Sequence, residues 1–160
     1  MPSVTMKYPN GPQRVDVDTP LEDICYLLKR DGGVIISKYV NTEVIDQAYK
    51  EILPRLERDK PWTGVFFPGE TRRAPGLNAL SPTYTSKMLM HPLYQAVCTH
   101  FLSTKNSFWW GEDRREHVSL PQVSACTAFQ VGPGAKDQQI HRVSRQITPK
   151  ILVLLCRVSC

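Results

Sequence analysis

Apolar positions recur at helical spacing in three separate stretches. Leu21, Ile24, Cys25 and Leu28 share one face of the first, Ile45, Ala48, Tyr49 and Ile52 of the second, and Leu93, Val97 and Phe101 of the third. Each has a start signal. Thr19-Pro20-Leu21-Glu22 offers a hydroxyl N-cap, a proline at the first helical position and a carboxylate at N3. Asn41 or Thr42 caps the second helix, with Glu43 and Asp46 near its positive end, and His91-Pro92 opens the third. Asp31-Gly32-Gly33 stops the first helix, and Pro54 kinks or ends the second.

Strand signals are fewer. Val34-Ile35-Ile36 is a compact β-branched run and predicts a buried strand. From Val123 to Val131 the chain alternates strictly, Val123, Ala125, Thr127, Phe129 and Val131 against Ser124, Cys126, Ala128 and Gln130, which predicts a strand with one buried face. Residues 1–17 are polar, with a turn at Asn10-Gly11-Pro12, and read as a flexible arm. Helices first and a strand afterwards predict an α+β fold with its sheet toward the C-terminal side.

Residues 59–83 fit neither pattern. Prolines and glycines exclude long regular structure, yet Trp62, Phe66 and Phe67 are costly to leave exposed together. An ordered loop lining a cavity meets both demands. Arg72 and Arg73 beside it either bind a carboxylate or the edge of an aromatic substrate, or are solvated or paired with Glu70. Phe108-Trp109-Trp110 is expected to cap the edge of the core before the charged segment Glu112–His117.

The chain has 160 residues, enough for one domain with a real core. Its net charge of +5 is unevenly placed. Arg142, Arg145, Lys150 and Arg157 lie in residues 142–160, which hold no acid; taking those four from the 20 basic residues leaves 16 against 15 acidic ones. With no basic stripe interleaved with aromatics, the body argues against nucleic acid as a partner. The five cysteines are scattered without a C-x-x-C pair, and no apolar leader opens the chain, so reduced thiols in a cytoplasmic protein are expected. The longest apolar run, residues 151–156, is far too short to span a membrane.

The candidate chemistry lies just past the alternating strand, in Gly132-Pro-Gly-Ala-Lys-Asp-Gln-Gln-Ile-His141-Arg142. A non-haem Fe(II) oxygenase needs two imidazoles and a carboxylate on one face of the metal. His-x-Asp at a strand end supplies half of that set, since period two points both side chains the same way. Here position 143 is valine. His91 reads as a helix-start residue, and His100 and His117 as structural or solvated, since neither has a liganding partner at a useful spacing.

Several motifs occur together in order: Asp31-Gly32-Gly33-Val34-Ile35-Ile36, Trp62-x-Gly64, Phe67-Pro68-x-Glu70-Thr71-Arg72-Arg73, Gly76-Leu77, Ser81-Pro82-Thr83, His91-Pro92-Leu93-Tyr94 and the Gly132–Arg142 segment. Over roughly residues 20–142 this series resembles the fungal branch of the phytanoyl-CoA dioxygenase (PhyH) family, and within it the dioxygenases of ergot-alkaloid clusters. The resemblance implies a double-stranded β-helix (jelly roll) with N-terminal helices, acting with Fe(II), 2-oxoglutarate and O2 on a small-molecule indole alkaloid. It implies His141 as the first iron ligand and Gln138 as a 2-oxoglutarate contact, and it puts Arg72 or Arg73 near the substrate. The family continues His-Arg-Asp-Asp, whereas this chain continues His141-Arg142-Val143-Ser144. The expectation is therefore an incomplete jelly roll: residues 18–142 form the N-terminal part of such a domain, and residues 143–160 a divergent tail. An unspliced intron or shifted frame would give that tail, and so would a genuine truncated paralogue. A chain of this kind is expected not to hold Fe(II) and 2-oxoglutarate productively, leaving an inactive product, a longer active one, or a non-catalytic partner of a full-length paralogue.

Overall fold

The computed structural model describes residues 12–64 and 67–136. Gln13–Asp16 (β1) precedes Leu21–Asp31 (α1), Val34–Ser37 (β2) and Thr42–Glu57 (α2). Thr71–Pro75 (β3) and the short Leu77–Leu80 (α3) lead to a π-helical turn at Tyr84–Leu89 and to Pro92–Leu102 (α4). Thr104–Trp110 (β4), Asp113–Ser119 (β5) and Thr127–Val131 (β6) complete the order. The strands form three two-stranded sheets: β1 with β2 in parallel, and β3 with β6 and β4 with β5 antiparallel. Among the described residues this mixture is compatible with an α+β fold, and its sheets close no barrel.

All three expected helices form, with differences at their ends. Thr19 does not cap α1; Pro20 occupies that position without a side-chain cap bond, because the Thr19 N–H is drawn back to the Asp16 carbonyl at 3.1 Å. Gly32 closes α1 in the left-handed region (φ 73°), where its N–H reaches the Leu28 carbonyl and a side chain would be strained. Asn41 Oδ1 accepts the Val44 N–H at 3.0 Å and caps α2. Pro54 does not end that helix. Ile52 and Leu56, buried on either side, hold the turn against the core, and Arg58 Nε donates to the Pro54 carbonyl at 2.9 Å. His91 caps α4, its Nδ1 accepting the Leu93 N–H at 3.3 Å.

The main core is built where α2 crosses the β3–β6 sheet. Ile52, Leu56 and Ala74 form it, with Tyr49, Leu77, Leu80 and Ala128 packed around them. A second apolar layer joins Ile24, Cys25 and Leu27 of α1 to Val97 and Cys98 of α4. Leu56 is 1% exposed, and burial of such a side chain stabilises the fold by roughly 2 kcal/mol.

Four strand expectations are corrected. The last residues of the expected arm, Gln13–Asp16, are a strand, because Val34–Ser37 gives them a parallel partner. Ile35 is half-exposed rather than buried, since among the described residues β2 pairs with β1 alone. Phe108, Trp109 and Trp110 do not cap the core: they lie in β4, paired residue for residue with Arg115, Arg114 and Asp113, and are exposed. The alternating strand begins only at Thr127, and its covered face is the one carrying Ala128 and Gln130. Small Ala128 meets the core, Gln130 Nε2 donates to Tyr49 Oη at 3.0 Å, and Phe129 and Val131 face outward. Close packing of α2 over β3 favours alanine over phenylalanine at that face.

Candidate functional site

The outward face of the β3–β6 sheet is the floor of a cleft of about 320 Å³. Arg73 and Pro75 come from β3, Thr127 and Phe129 from β6, Arg55 and Asp59 from the end of α2, and Phe67 from the loop. Arg73 and Phe129 are directly opposite in the register, which brings a guanidinium and a phenyl ring to one spot.

Asp59 fixes that guanidinium. One carboxylate oxygen accepts both the backbone N–H of Arg73 at 2.9 Å and its Nε at 3.0 Å, and Arg73 Nη2 donates to the Lys60 carbonyl at 2.9 Å. The other oxygen lies 3.8 Å from Arg55, one helical turn back. Chiefly through the Arg73 hydrogen bond, the Asp59 carboxyl is held below the usual carboxylate range. Rings surround the pair. The Arg73 guanidinium lies 4.8 Å from the Trp62 ring centroid and 5.6 Å from that of Phe67. Trp62 meets Phe67 edge-on at 5.7 Å, and Phe67 meets Phe129 at 5.5 Å.

Of the expected cavity-lining loop, Phe67 lines the cleft and Trp62 packs behind it on Arg73; Phe66 lies outside the described residues. The two arginines separate. Arg73 enters the cleft and pairs with Asp59 rather than Glu70, while Arg72 is exposed on the other face, opposite Gln130. Asp59 went unread in the sequence because its partner lies fourteen residues away across an irregular loop; the Arg55–Asp59 spacing of one helical turn was the one local hint.

At the far end of β6, the Gly132 N–H donates to the Glu70 carbonyl at 3.2 Å. A Cβ at Gly132 would sit 3.0 Å from that oxygen, so any larger residue there would have to push the two backbones apart by a few tenths of an ångström. Gln138 and His141 follow this turn and lie outside the described residues, as does Val143. His100 and His117 are exposed on α4 and β5. Among the described residues no three His, Cys, Asp or Glu side chains come together to hold a metal.

Cys25, Cys98 and Cys126 are free thiols, and Cys156 and Cys160 lie outside the described residues. Burial pushes the Cys25 and Cys98 thiols up, and it pushes Tyr94 up to about 12, so none of these is ionised at neutral pH. That disfavours thiolate chemistry at Cys25 and Cys98. Among the described residues no helix is long and apolar enough to cross a membrane.

No family model matches the sequence. The chain is similar to several fungal proteins named dioxygenases. It is 33% identical over 136 residues to dioxygenase peniF of Penicillium patulum, covering 84% of this chain and 44% of that one. Dioxygenase aneA of Aspergillus aculeatus is 28% identical over 137 residues (81% and 42%), and dioxygenase himG of Aspergillus japonicus 27% over 122 residues (76% and 37%). The chain thus spans less than half the length of these relatives.

Proposed function

We propose that these 160 residues carry the front part of an Fe(II)- and 2-oxoglutarate-dependent dioxygenase of fungal secondary metabolism, and that on their own they do not catalyse. The observation carrying this reading is the similarity to fungal dioxygenases over three quarters or more of the chain. The ordered motifs from Asp31 to Arg142 support the finer assignment to a PhyH-type jelly roll and its ergot-alkaloid branch, with a small indole alkaloid as substrate. In this reading His141 takes the first iron position, Gln138 contacts 2-oxoglutarate, and the Arg73 cleft faces the substrate.

The donor set within these residues does not fit the metal. His141 is followed two residues later by Val143 instead of a carboxylate, and the described residues bring no other three donors together. One neutral imidazole does not hold Fe(II) against water. No oxygen chemistry is therefore assigned to this chain alone. What its own residues do is bind and orient: the cleft holds a fixed guanidinium packed against Trp62 and Phe67, with the Phe129 ring beside Phe67.

The short span relative to the relatives favours a second reading, a longer product that completes the site. Iron content and succinate release by the purified 160-residue chain, given Fe(II) and 2-oxoglutarate, test the first. Iron well below one per chain and succinate at the metal-free level are expected; substrate-dependent succinate above that level overturns the claim of inactivity. The intact mass of the native protein decides the second.

A further inference from the structure

We propose that the Arg73 cleft recognises a planar aromatic ring rather than an anion, and that Asp59 is the positioning residue that sets this choice. An arginine beside aromatic rings has two uses, as a receptor for carboxylate or phosphate and as a flat plate for stacking. Here the first use is largely offset by an internal carboxylate. Asp59 lies 3.0 Å from Arg73 Nε and also holds its backbone N–H, so the guanidinium charge is already balanced and a ligand carboxylate gains less from it than from an unpaired arginine. Nη2 is committed to the Lys60 carbonyl as well. The guanidinium is itself packed against the Trp62 and Phe67 rings, so the flat surface the cleft still offers is the exposed ring of Phe129, edged by Phe67.

Exposure supports the same occupant. Phe129, which lines the cleft, is 51% exposed, and Trp62, stacked on Arg73, is 43% exposed. Adjacent rings left open to water around a fixed cation are a surface that a flat apolar molecule covers well. The second arginine does not reverse the balance. Arg55 stands at the rim, partly exposed and 3.8 Å from Asp59, and a screened charge there alters affinity by no more than about fivefold.

The proposal rests on reading this cleft as the substrate face, but its test needs neither iron nor co-substrate, so it can fail while the oxygenase reading stands. The probes are 2-naphthol and 2-naphthoate, of like shape and different charge, titrated near neutral pH. The readout is the indole N–H resonance of Trp62, assigned with Trp62→Phe. Both probes should shift it saturably, with affinities within about fivefold of each other. Asp59→Asn frees the charge of Arg73 and should move the preference at least about tenfold toward naphthoate. Should Asp59→Asn not fold, Arg73→Gln replaces it and should weaken both probes alike. A wild-type preference for naphthoate above tenfold, a loss of naphthoate alone in Arg73→Gln, or no Trp62 shift with either probe overturns the proposal.

Discussion

Ser81 donates its hydroxyl proton to Glu51 Oε2 at 2.5 Å, from thirty residues further along the chain. The same carboxylate accepts from Thr83 Oγ1 at 2.6 Å, from the Thr83 N–H at 3.2 Å and from Gln47 Nε2 at 3.1 Å. Ser81 Oγ in turn accepts the Tyr84 N–H at 3.0 Å. One acid on α2 thus organises the Ser81-Pro82-Thr83 turn where α3 ends and the π-helical turn begins, behind the core that supports β3.

Those bonds, Ser81 first, lower the Glu51 carboxyl from 4.5 to about 2. Its contribution to stability is fully present above the ordinary value and drains away as pH falls from there toward the folded value. Glu51→Gln should therefore lower Tm near neutral pH and remove part of the acid-side decline. The two Tm curves, followed by circular dichroism down to about pH 3, should converge as the medium becomes acidic. Curves that stay parallel would show that Glu51 titrates normally.

The helices were legible because their signals are local: Gly32 and Asn41 act through atoms within four residues of themselves. Pro54 does not end α2 because the competing term is tertiary, the burial of Ile52 and Leu56 around it. Alternation gives the period of the Phe129 strand but not which face is covered; the core takes Ala128. Arg73 was singled out for its aromatic neighbours, and its true partner Asp59 is a long-range pairing that no spacing encodes. Gln138 and His141 rest on the motif alone.

Leu21 and Leu56 separate helical pattern from actual core. Both sit at apolar positions of their helices, yet Leu21 is 38% exposed and Leu56 1%. Leu56→Ala should cost about 2–5 kcal/mol in urea unfolding, through lost burial and a cavity beside Ala74. Leu21→Ala should stay within about 0.5 kcal/mol of the parent. Equal losses at the two sites would place the core elsewhere than at the α2–β3 contact.

Trp109 and Trp110 lead to the last prediction. They are each 69% exposed in a hairpin whose strands pair with one another and with no other strand among the described residues. Its register is regular, its turn carries Gly111 at φ 65°, and its side-chain ties are the Arg114–Ser107 and Asn106–Ser119 bonds and the stacking of Arg115 on Trp110. None of these buries much apolar surface, and a two-stranded hairpin without a covered face is marginal in water. Amide exchange should therefore be at least about tenfold faster across residues 104–119 than in the interior of α2. Protection that matches α2 and vanishes on dilution would mean that copies of the chain cover the hairpin. Matching protection that survives dilution would mean that the rest of the same chain covers it.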